Sequence, residues 1–272
     1  MRAGATRAAI ISVQPDVLHL VARAESAQLG MQRYGRDTID SARDRGAFLR
    51  AAGALALGLG LADAVPAAAE TGLPATPGQA LSRLLAGNAR FVRGKLTAPD
   101  AIVERRQDVA GGQKPFAILL TCADSRVPPE HVFDQSLGHL FVCRVAGNVL
   151  ESRIVGSIEY AVANFHSPLV MVLGHQHCGA VKDTIALLDK GQKAPGSIQA
   201  VVEAIAPVVR RTPRGSLGAD AYVERVVRAN ARAVAAQLRD DSAIVRDAVA
   251  ARKLRVAAAE YSLASGRVTL LS

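Results

Sequence analysis

The sequence has little of what several classes of protein require. Its three cysteines are too few, and odd in number, for a disulfide framework, so metal ligation or nucleophilic chemistry suits them better. It has no tryptophan, and no Lys/Arg-rich block accompanies its formal net charge of +9. Because the basic residues are spread along the chain, they indicate a solvated surface, and we expect no nucleic-acid partner. With 272 residues, 50% of them hydrophobic, the chain can bury one large core.

The apolar stretch AAGALALGLGLA, at residues 51–62, is too short for a membrane-spanning helix, which needs about 20 apolar residues. Arginines precede it and the pattern Ala67-x-Ala69 follows it, which is the order of a signal peptide: basic, apolar, cleavage site. We therefore predict an N-terminal extension with a signal peptide at residues 1–69, and no stable membrane insertion after its removal. The alternative is that this stretch forms an apolar helix buried against the core. The glycines in the stretch argue against this alternative, because glycine disfavours a helix.

The residues RGAFLRAAG, just before and into this stretch, resemble a twin-arginine leader. One arginine of the pair is missing, because Gly46 follows Arg45, so the export pathway stays open. Since signals lie at the very N-terminus, we expect Met31 to be the true start of the protein. A working leader predicts an exported protein, periplasmic or extracellular, and a chain without one would be cytoplasmic.

A Pro/Gly/Thr linker at residues 70–79 precedes the main domain, which we place at residues 80–272. This domain opens with a segment of helical apolar spacing, ALSRLLAGNARFVRG. Three short and almost wholly apolar runs follow, as expected of strands that are covered on both faces in a parallel sheet. These runs are Phe116–Cys122, Leu140–Val145 and Pro168–His175.

The segments between and after these runs complete an α/β pattern. Residues 149–165 predict a helix of crossover length, and residues 178–251 are mostly helical in pattern. The end of the chain predicts two strands joined by a turn at ASGR. We therefore predict an α/β fold with a mostly parallel central sheet flanked by helices.

Two of the apolar runs end in residues that can bind a metal. Cys122 and His175 stand at strand ends, where functional groups gather in open parallel sheets. His175 and Cys178 have H-x-x-C spacing, which lets a strand end and the first turn of the next helix face one spot. Together the three residues would supply a Cys₂His set, as used by catalytic zinc sites with one exchangeable position. Thiolate and imidazole favour zinc over magnesium or calcium.

Asp124 and Arg126 follow Cys122 at alternating positions. Asp124 could turn toward the same metal and act as a fourth ligand, which would close the site. Alternatively, a bidentate pair with Arg126 could hold the carboxylate off the metal and leave that position to water. A purely structural ion pair is the third interpretation. His177 could compete as a ligand, although a solvated or outer-sphere role is favoured.

The remaining candidates have simpler interpretations. Cys143 lies inside an apolar strand and is predicted to be a core residue. His131 and His139 are surface groups or, as the alternative, proton shuttles. Gly147 and Asn148 predict a turn, with pocket lining as the alternative.

The stretches CADSRVPPEHVFDQSLGHLFVCRVAGN, GSIEYAV and LGHQHCGAVK resemble the signature blocks of the β-class carbonic anhydrases, in the same order. The resemblance runs from about residue 80 to about residue 271. It implies the parallel-sheet fold of that family and a homodimer or higher even oligomer. It also implies one Zn²⁺ per subunit and a dyad beside it, with Cys122, His175 and Cys178 as the zinc ligands and Asp124 with Arg126 as the dyad.

The activity that this resemblance implies is the reversible hydration of CO₂ to bicarbonate and a proton. Zinc-bound hydroxide would attack CO₂, and Asp124 would accept the hydrogen bond of that hydroxide. Some members of the family shut down when bicarbonate occupies a second site that includes a tryptophan. This chain has no tryptophan, so we expect the form without that switch.

Three other functions compete with this interpretation. A hydrolase of CS₂ or COS on the same fold would use identical ligands. A non-catalytic zinc-binding protein would not need the Asp124 and Arg126 pair. A redox protein is disfavoured because the chain contains no C-x-x-C pattern.

Overall fold

The computed structural model of the protein describes residues 72–98 and 102–272. The predicted leader at residues 1–69 lies outside these residues. In the part of the chain that is described, no helix combines the length and the apolar character needed to cross a membrane.

A five-stranded sheet forms the centre of the fold. Its strands pair in the order β2-β1-β3-β4-β5, and every pair is parallel except the antiparallel β4–β5 pair at one edge. This confirms the predicted mostly parallel sheet, and the last two strands are joined at the predicted turn, where Gly266 has φ +70°. The strands are β1 (Ala117–Thr121), β2 (Leu140–Arg144), β3 (Leu169–His175), β4 (Arg255–Tyr261) and β5 (Val268–Leu271).

Helices flank the sheet, and the long predicted ones are present. The first begins at Pro77, earlier than the apolar spacing predicts, because Thr76 and Gln79 form a capping box: each side chain accepts a hydrogen bond from the main-chain N–H of the other residue. The helices in the described residues are α1 (Pro77–Val92), α2 (Ile102–Asp108), α3 (Pro129–Val132), α4 (Ser152–Phe165), α5 (Gly179–Asp189), α6 (Ile198–Arg211), α7 (Ala219–Asp241) and α8 (Ala243–Ala250).

Both faces of the sheet are buried, which explains why its strands are almost wholly apolar. Successive side chains of a strand point to opposite faces. Leu119 packs in the cluster that includes Leu84 of α1, and Ile118 packs in the cluster that includes Ile158 of α4 and Leu238 of α7. Strands β1 and β3 lie at the centre, and their carboxyl ends meet at the same edge of the sheet.

Asn88 ties helix α1 to the elements around it. Its amide nitrogen donates to the main-chain oxygens of Val132, at 3.0 Å, and Gly266, at 2.8 Å. Its amide oxygen accepts from the main-chain N–H of Val268, at 2.8 Å. The side chain is 4% exposed, so water cannot easily replace these bonds.

We expect Asn88→Ala to lower the free energy of unfolding by about 3 kcal/mol, because it leaves buried main-chain groups without partners. The shift of the urea midpoint at fixed protein concentration measures this loss. Asn164→Ala is the matched control, since Asn164 is exposed and, among the described residues, its side chain donates only to Tyr160 of its own helix. A change no larger for Asn88→Ala than for the control would contradict the expectation.

Candidate metal centre

The structure brings the three predicted metal ligands together at the carboxyl edge of the sheet. Cys122 directly follows β1, His175 is the last residue of β3, and Cys178 is the N-cap of helix α5. Their ligand atoms all lie within 4.8 Å of one another, and all three residues are buried. The parallel pairing of β1 with β3 therefore brings the three residues together, as the sequence pattern predicts.

The imidazole of His175 is oriented for ligation. Its Nδ1 lies 2.9 Å from the main-chain oxygen of Gln176, so Nδ1–H donates there and Nε2 carries the lone pair. Nε2 is buried and has no hydrogen-bond partner among the described residues. Burial lowers the pKa of His175, but Cys122, the Gln176 main chain and Asp124 together outweigh burial and leave that pKa raised.

The two thiols are joined by a hydrogen bond that shifts their pKa values in opposite directions. The hydrogen bond from Cys178 does most to lower the pKa of Cys122 to about 4, and His175 and main-chain N–H groups add to the effect. One of these groups is the Gly147 N–H, which lies 3.3 Å from the Cys122 sulfur. The hydrogen bond to Cys122, and then burial, raise the pKa of Cys178, so this thiol gives up its proton less readily than Cys122. A metal ion would displace this proton, because both sulfurs ligate as thiolates.

This donor set fits zinc. Two sulfurs and one imidazole nitrogen are ligands that zinc accepts, and three protein ligands leave a fourth position of a tetrahedral site for a small molecule. The partnerless Nε2 of His175 is the kind of buried polar atom that a metal would satisfy. The surroundings are apolar, since Cys122 and Cys178 lie in a cluster with side chains of α5, α6 and α7.

Asp124 borders this group but is held by Arg126. The Arg126 side chain donates to both carboxylate oxygens, at 2.9 Å from Nε to Oδ1 and 2.7 Å from Nη2 to Oδ2, and its main-chain N–H donates to Oδ1 at 2.9 Å. Oδ2 lies 3.9 Å from His175 Nε2. The hydrogen bond from Arg126 holds the pKa of Asp124 well below its usual range. The sequence leaves open whether Asp124 turns toward the metal position or pairs with Arg126. In the structure its carboxylate pairs with Arg126.

Two other candidates lie outside the ligand group. His177 points away, with its side chain 62% exposed and its Nδ1 3.4 Å from Glu224 Oε1. Cys143 is buried in the apolar cluster around Ile158, where burial raises the pKa of its thiol to about 11. Cys143 is thus the core residue that the sequence predicts.

The predicted turn at Gly147 and Asn148 is present and contacts the site. Both residues have positive φ, +69° and +46°. Glycine suits position 147 because of its positive φ, and a Cβ there would also lie 2.7 Å from Ile205 Cδ1 and 3.2 Å from Ala180 Cβ. The turn directs its N–H at Cys122.

Three residues that support the site were missed by the sequence analysis. Arg144, at the end of β2, donates to the main-chain oxygens of Cys122, at 3.0 Å, and of Asp124. Asn230 donates to the Gly147 oxygen at 2.9 Å, and Glu224 accepts from the His177 N–H at 2.9 Å. Only Asn230 carries a usable signal, as a polar residue among the apolar side chains of one helix face.

Comparison with known proteins places these observations in a family. A family model described as carbonic anhydrase matches residues 117–268, which include every predicted site residue. A carbonic anhydrase of Mycolicibacterium smegmatis is 42% identical over 199 residues, which cover 72% of this chain and 94% of that protein. Carbonic anhydrase 2 of Mycobacterium tuberculosis is 40% identical over 195 residues, which cover 71% of this chain and 92% of that protein.

Solved structures agree with this match. The β-carbonic anhydrase of Coccomyxa in complex with acetazolamide is 28% identical with a TM-score of 0.57, and the alignment covers 70% of this chain and 86% of that one. A tetrameric β-carbonic anhydrase of Sordaria macrospora, 22% identical, shares the fold with a TM-score of 0.58 over 71% of this chain and 96% of that one. On the family match, the identities and the shared fold, the chain belongs to the carbonic anhydrase family, in its β class.

Proposed function

We propose that the protein is a zinc enzyme that reversibly hydrates CO₂ to bicarbonate and a proton. One observation carries the proposal: three buried ligand atoms lie within 4.8 Å of one another, beside a carboxylate that an arginine holds. Cys122, His175 and Cys178 would hold one Zn²⁺ per subunit. When bound, zinc supplies Lewis-acid activation of water near neutral pH. The membership of the family and the names of its relatives support this activity.

Asp124 and Arg126 would act as a dyad beside the metal. The two hydrogen bonds from the Arg126 side chain fix the plane of the carboxylate and keep it charged. From this position Asp124 would accept a hydrogen bond from the water that attacks CO₂, which orients the lone pair of that water. Arg126 would keep the carboxylate from taking the fourth ligand position.

The proton that the reaction releases needs a route to solvent. His139 does not suit this role, because burial and the nearby Arg83 and Arg105 lower its pKa to about 4, so its ring is neutral at neutral pH. His131, exposed on helix α3, is the better of the two candidates.

A second copy of the chain would cover the open edge of the sheet at β2. Among the described residues β2 pairs only with β1, and partly exposed apolar side chains line it. Phe141, Tyr160 and Phe165 form an aromatic group there, with ring centroids 5.6 to 6.5 Å apart, although Tyr160 is exposed. Edges of this kind are normally covered, which supports the predicted homodimer.

Residues 1–69 would direct export. The M. smegmatis relative matches along 94% of its own length but only 72% of this chain, so part of this chain has no counterpart there. Free thiolates are easily oxidised outside the cytoplasm. The protein would therefore fold and take up zinc before it crosses the membrane.

We expect Cys122→Ala and Cys178→Ala to lose most of the bound zinc, because each removes one of three ligands. Cys143→Ala is the matched control and should keep one zinc per subunit. Metal analysis after dialysis gives the ratio. Alkylation of wild-type thiols should reach Cys122 and Cys178 only after a chelator is added. A Cys122–Cys178 disulfide without bound zinc would instead support the redox alternative.

Asp124→Ala should lower kcat/KM for CO₂ hydration about 100-fold with zinc retained, because it removes a partner next to the metal. Arg126→Ala should act in the same direction by releasing the carboxylate. Stopped-flow assays with an indicator dye, from about pH 6.5 to about pH 9, measure both. The lowered pKa of Asp124 keeps it ionised over this whole range, so its protonation causes none of the pH dependence.

Asp247→Ala, an exposed aspartate of α8, is the control for these variants. Wild-type activity that appears only at the alkaline end would mean that Asp124 occupies the fourth position. Inactivity at every pH with zinc bound would contradict CO₂ hydration and leave a CS₂ or COS substrate, or zinc binding alone.

For export, we expect a mature chain that starts near Glu70 in the extracytoplasmic fraction of a bacterial host, with zinc bound. Deletion of residues 51–62 should hold the protein in the cytoplasm. N-terminal sequencing and native mass of the same preparation give both the cleavage site and the number of subunits. Full-length soluble protein in the cytoplasm would refute the leader, and a monomeric mass would refute the dimer.

A further inference from the structure

Helix α7 lies against the end of β3, at the edge of the sheet where the ligands meet. Gly174 makes this packing close, because a Cβ there would lie 3.2 Å from Val227 Cγ1 and 3.5 Å from Ala231 Cβ. Glu224 precedes Val227 by about one turn and Asn230 follows it by about one turn, so both project toward the same edge of the sheet.

Glu224 holds the segment that carries two of the three ligands. Its Oε1 accepts the main-chain N–H of His177 at 2.9 Å, between His175 and Cys178. His177 has φ +52°, a left-handed conformation that residues other than glycine rarely adopt. The neighbouring Gln176 N–H already donates to the Tyr261 oxygen. Glu224 therefore secures the amide of the residue at which the chain turns from β3 into α5.

Glu224 has other neighbours besides the His177 amide: Oε1 lies 3.4 Å from His177 Nδ1, and, after burial, the nearby Glu224 helps to raise the pKa of Glu260. The Glu224 side chain is 13% exposed, and its second oxygen is buried without a hydrogen-bond partner among the described residues. Arg228, one turn later on α7, donates to Glu260 on β4 at 3.1 Å. Among the main-chain groups of the described residues, the His177 amide is the one that donates a hydrogen bond to the Glu224 carboxylate.

Asn230 holds the other half of the site. Its amide donates to the Gly147 oxygen at 2.9 Å, and the Gly147 N–H lies 3.3 Å from the Cys122 sulfur. Asn230 is fully buried, so its hydrogen bond holds the turn at Gly147 and Asn148 from the interior of the protein. Helix α7 therefore supports the ligand that follows β1 through Asn230, and the ligands at the end of β3 and at the N-cap of α5 through Glu224.

We propose that Glu224 and Asn230 are positioning residues, through which helix α7 sets the relative placement of Cys122, His175 and Cys178. Neither residue belongs to the group of three ligand residues. The proposal rests on the zinc site proposed above, but it concerns how firmly the metal is held and in what geometry.

The test compares Glu224→Ala, Glu224→Asp and Glu224→Gln for zinc release to a chelator and for the visible spectrum of the Co²⁺-substituted protein. The Ala and Asp variants should release zinc about tenfold faster or more and alter the cobalt bands, since Ala lacks the acceptor and Asp is one methylene shorter. Gln keeps an acceptor oxygen at the same reach and should stay within about threefold of wild type. Glu203→Ala, an exposed glutamate of α6, should change nothing.

Wild-type zinc release and an unchanged spectrum in both the Ala and Asp variants would overturn the role of Glu224, as would a Gln variant no better than Ala. If the Ala variant fails to fold, the comparison of Asp with Gln decides. Wild-type protein that binds zinc without hydrating CO₂ would refute the proposed activity and leave this test intact.

For Asn230, Asn230→Ala should shift the thiolate-to-cobalt charge-transfer absorption, because the Gly147 N–H would no longer be held on the Cys122 sulfur. Asn230→Val provides the same test with more of the space filled, in case the alanine variant does not fold. An unchanged band in either folded variant would remove Asn230 from the proposal.

Discussion

The parallel pairing of β1 with β3 is the contact on which the site depends. Their register, from Ile118 opposite Val170 to Thr121 opposite Leu173, places the first residue after β1 beside the last residues of β3. A shift of the register would separate the sulfur of Cys122 from the imidazole of His175. The register is secured because the side chains on both faces of both strands are buried, so a slip by one residue would exchange the two packed faces.

The three cysteines show that neighbours, more than burial, decide the chemistry of a thiol in this protein. Cys122 and Cys143 are equally buried, each 6% exposed. Burial alone raises the pKa of Cys143 to about 11, whereas the pKa of Cys122 falls to about 4 beside a thiol, an imidazole and directed N–H groups. The strand end supplies those partners and the strand interior does not, so the same residue type is a core side chain in β2 and a candidate metal ligand after β1.

Much of the fold and most of the ligand group were predictable from the sequence, because both rest on local patterns. Apolar runs marked the strands, and H-x-x-C spacing after a strand marked His175 and Cys178. The support behind the ligands was harder to predict. Glu224 carries no signal in the sequence. Asn230 stands out as a polar residue on an apolar helix face, but the sequence does not indicate which element it contacts. The early start of α1 was missed for another reason: Thr76 and Pro77 lie in a stretch whose composition is that of a linker.

Two arginines hold Asp124 at different points, one at its main chain and one at its side chain. Arg144 holds the main-chain oxygen of Asp124, and Arg126 holds its carboxylate. Movement of the carboxylate toward the metal would break the bonds to the Arg126 side chain but would leave the loop in place. The Arg126 side chain is 55% exposed and that of Asp124 18%, so this ion pair, unlike the buried ligands, is screened by dissolved salt. The proposed dyad beside the ligand group is therefore also the part of the site most open to solution conditions.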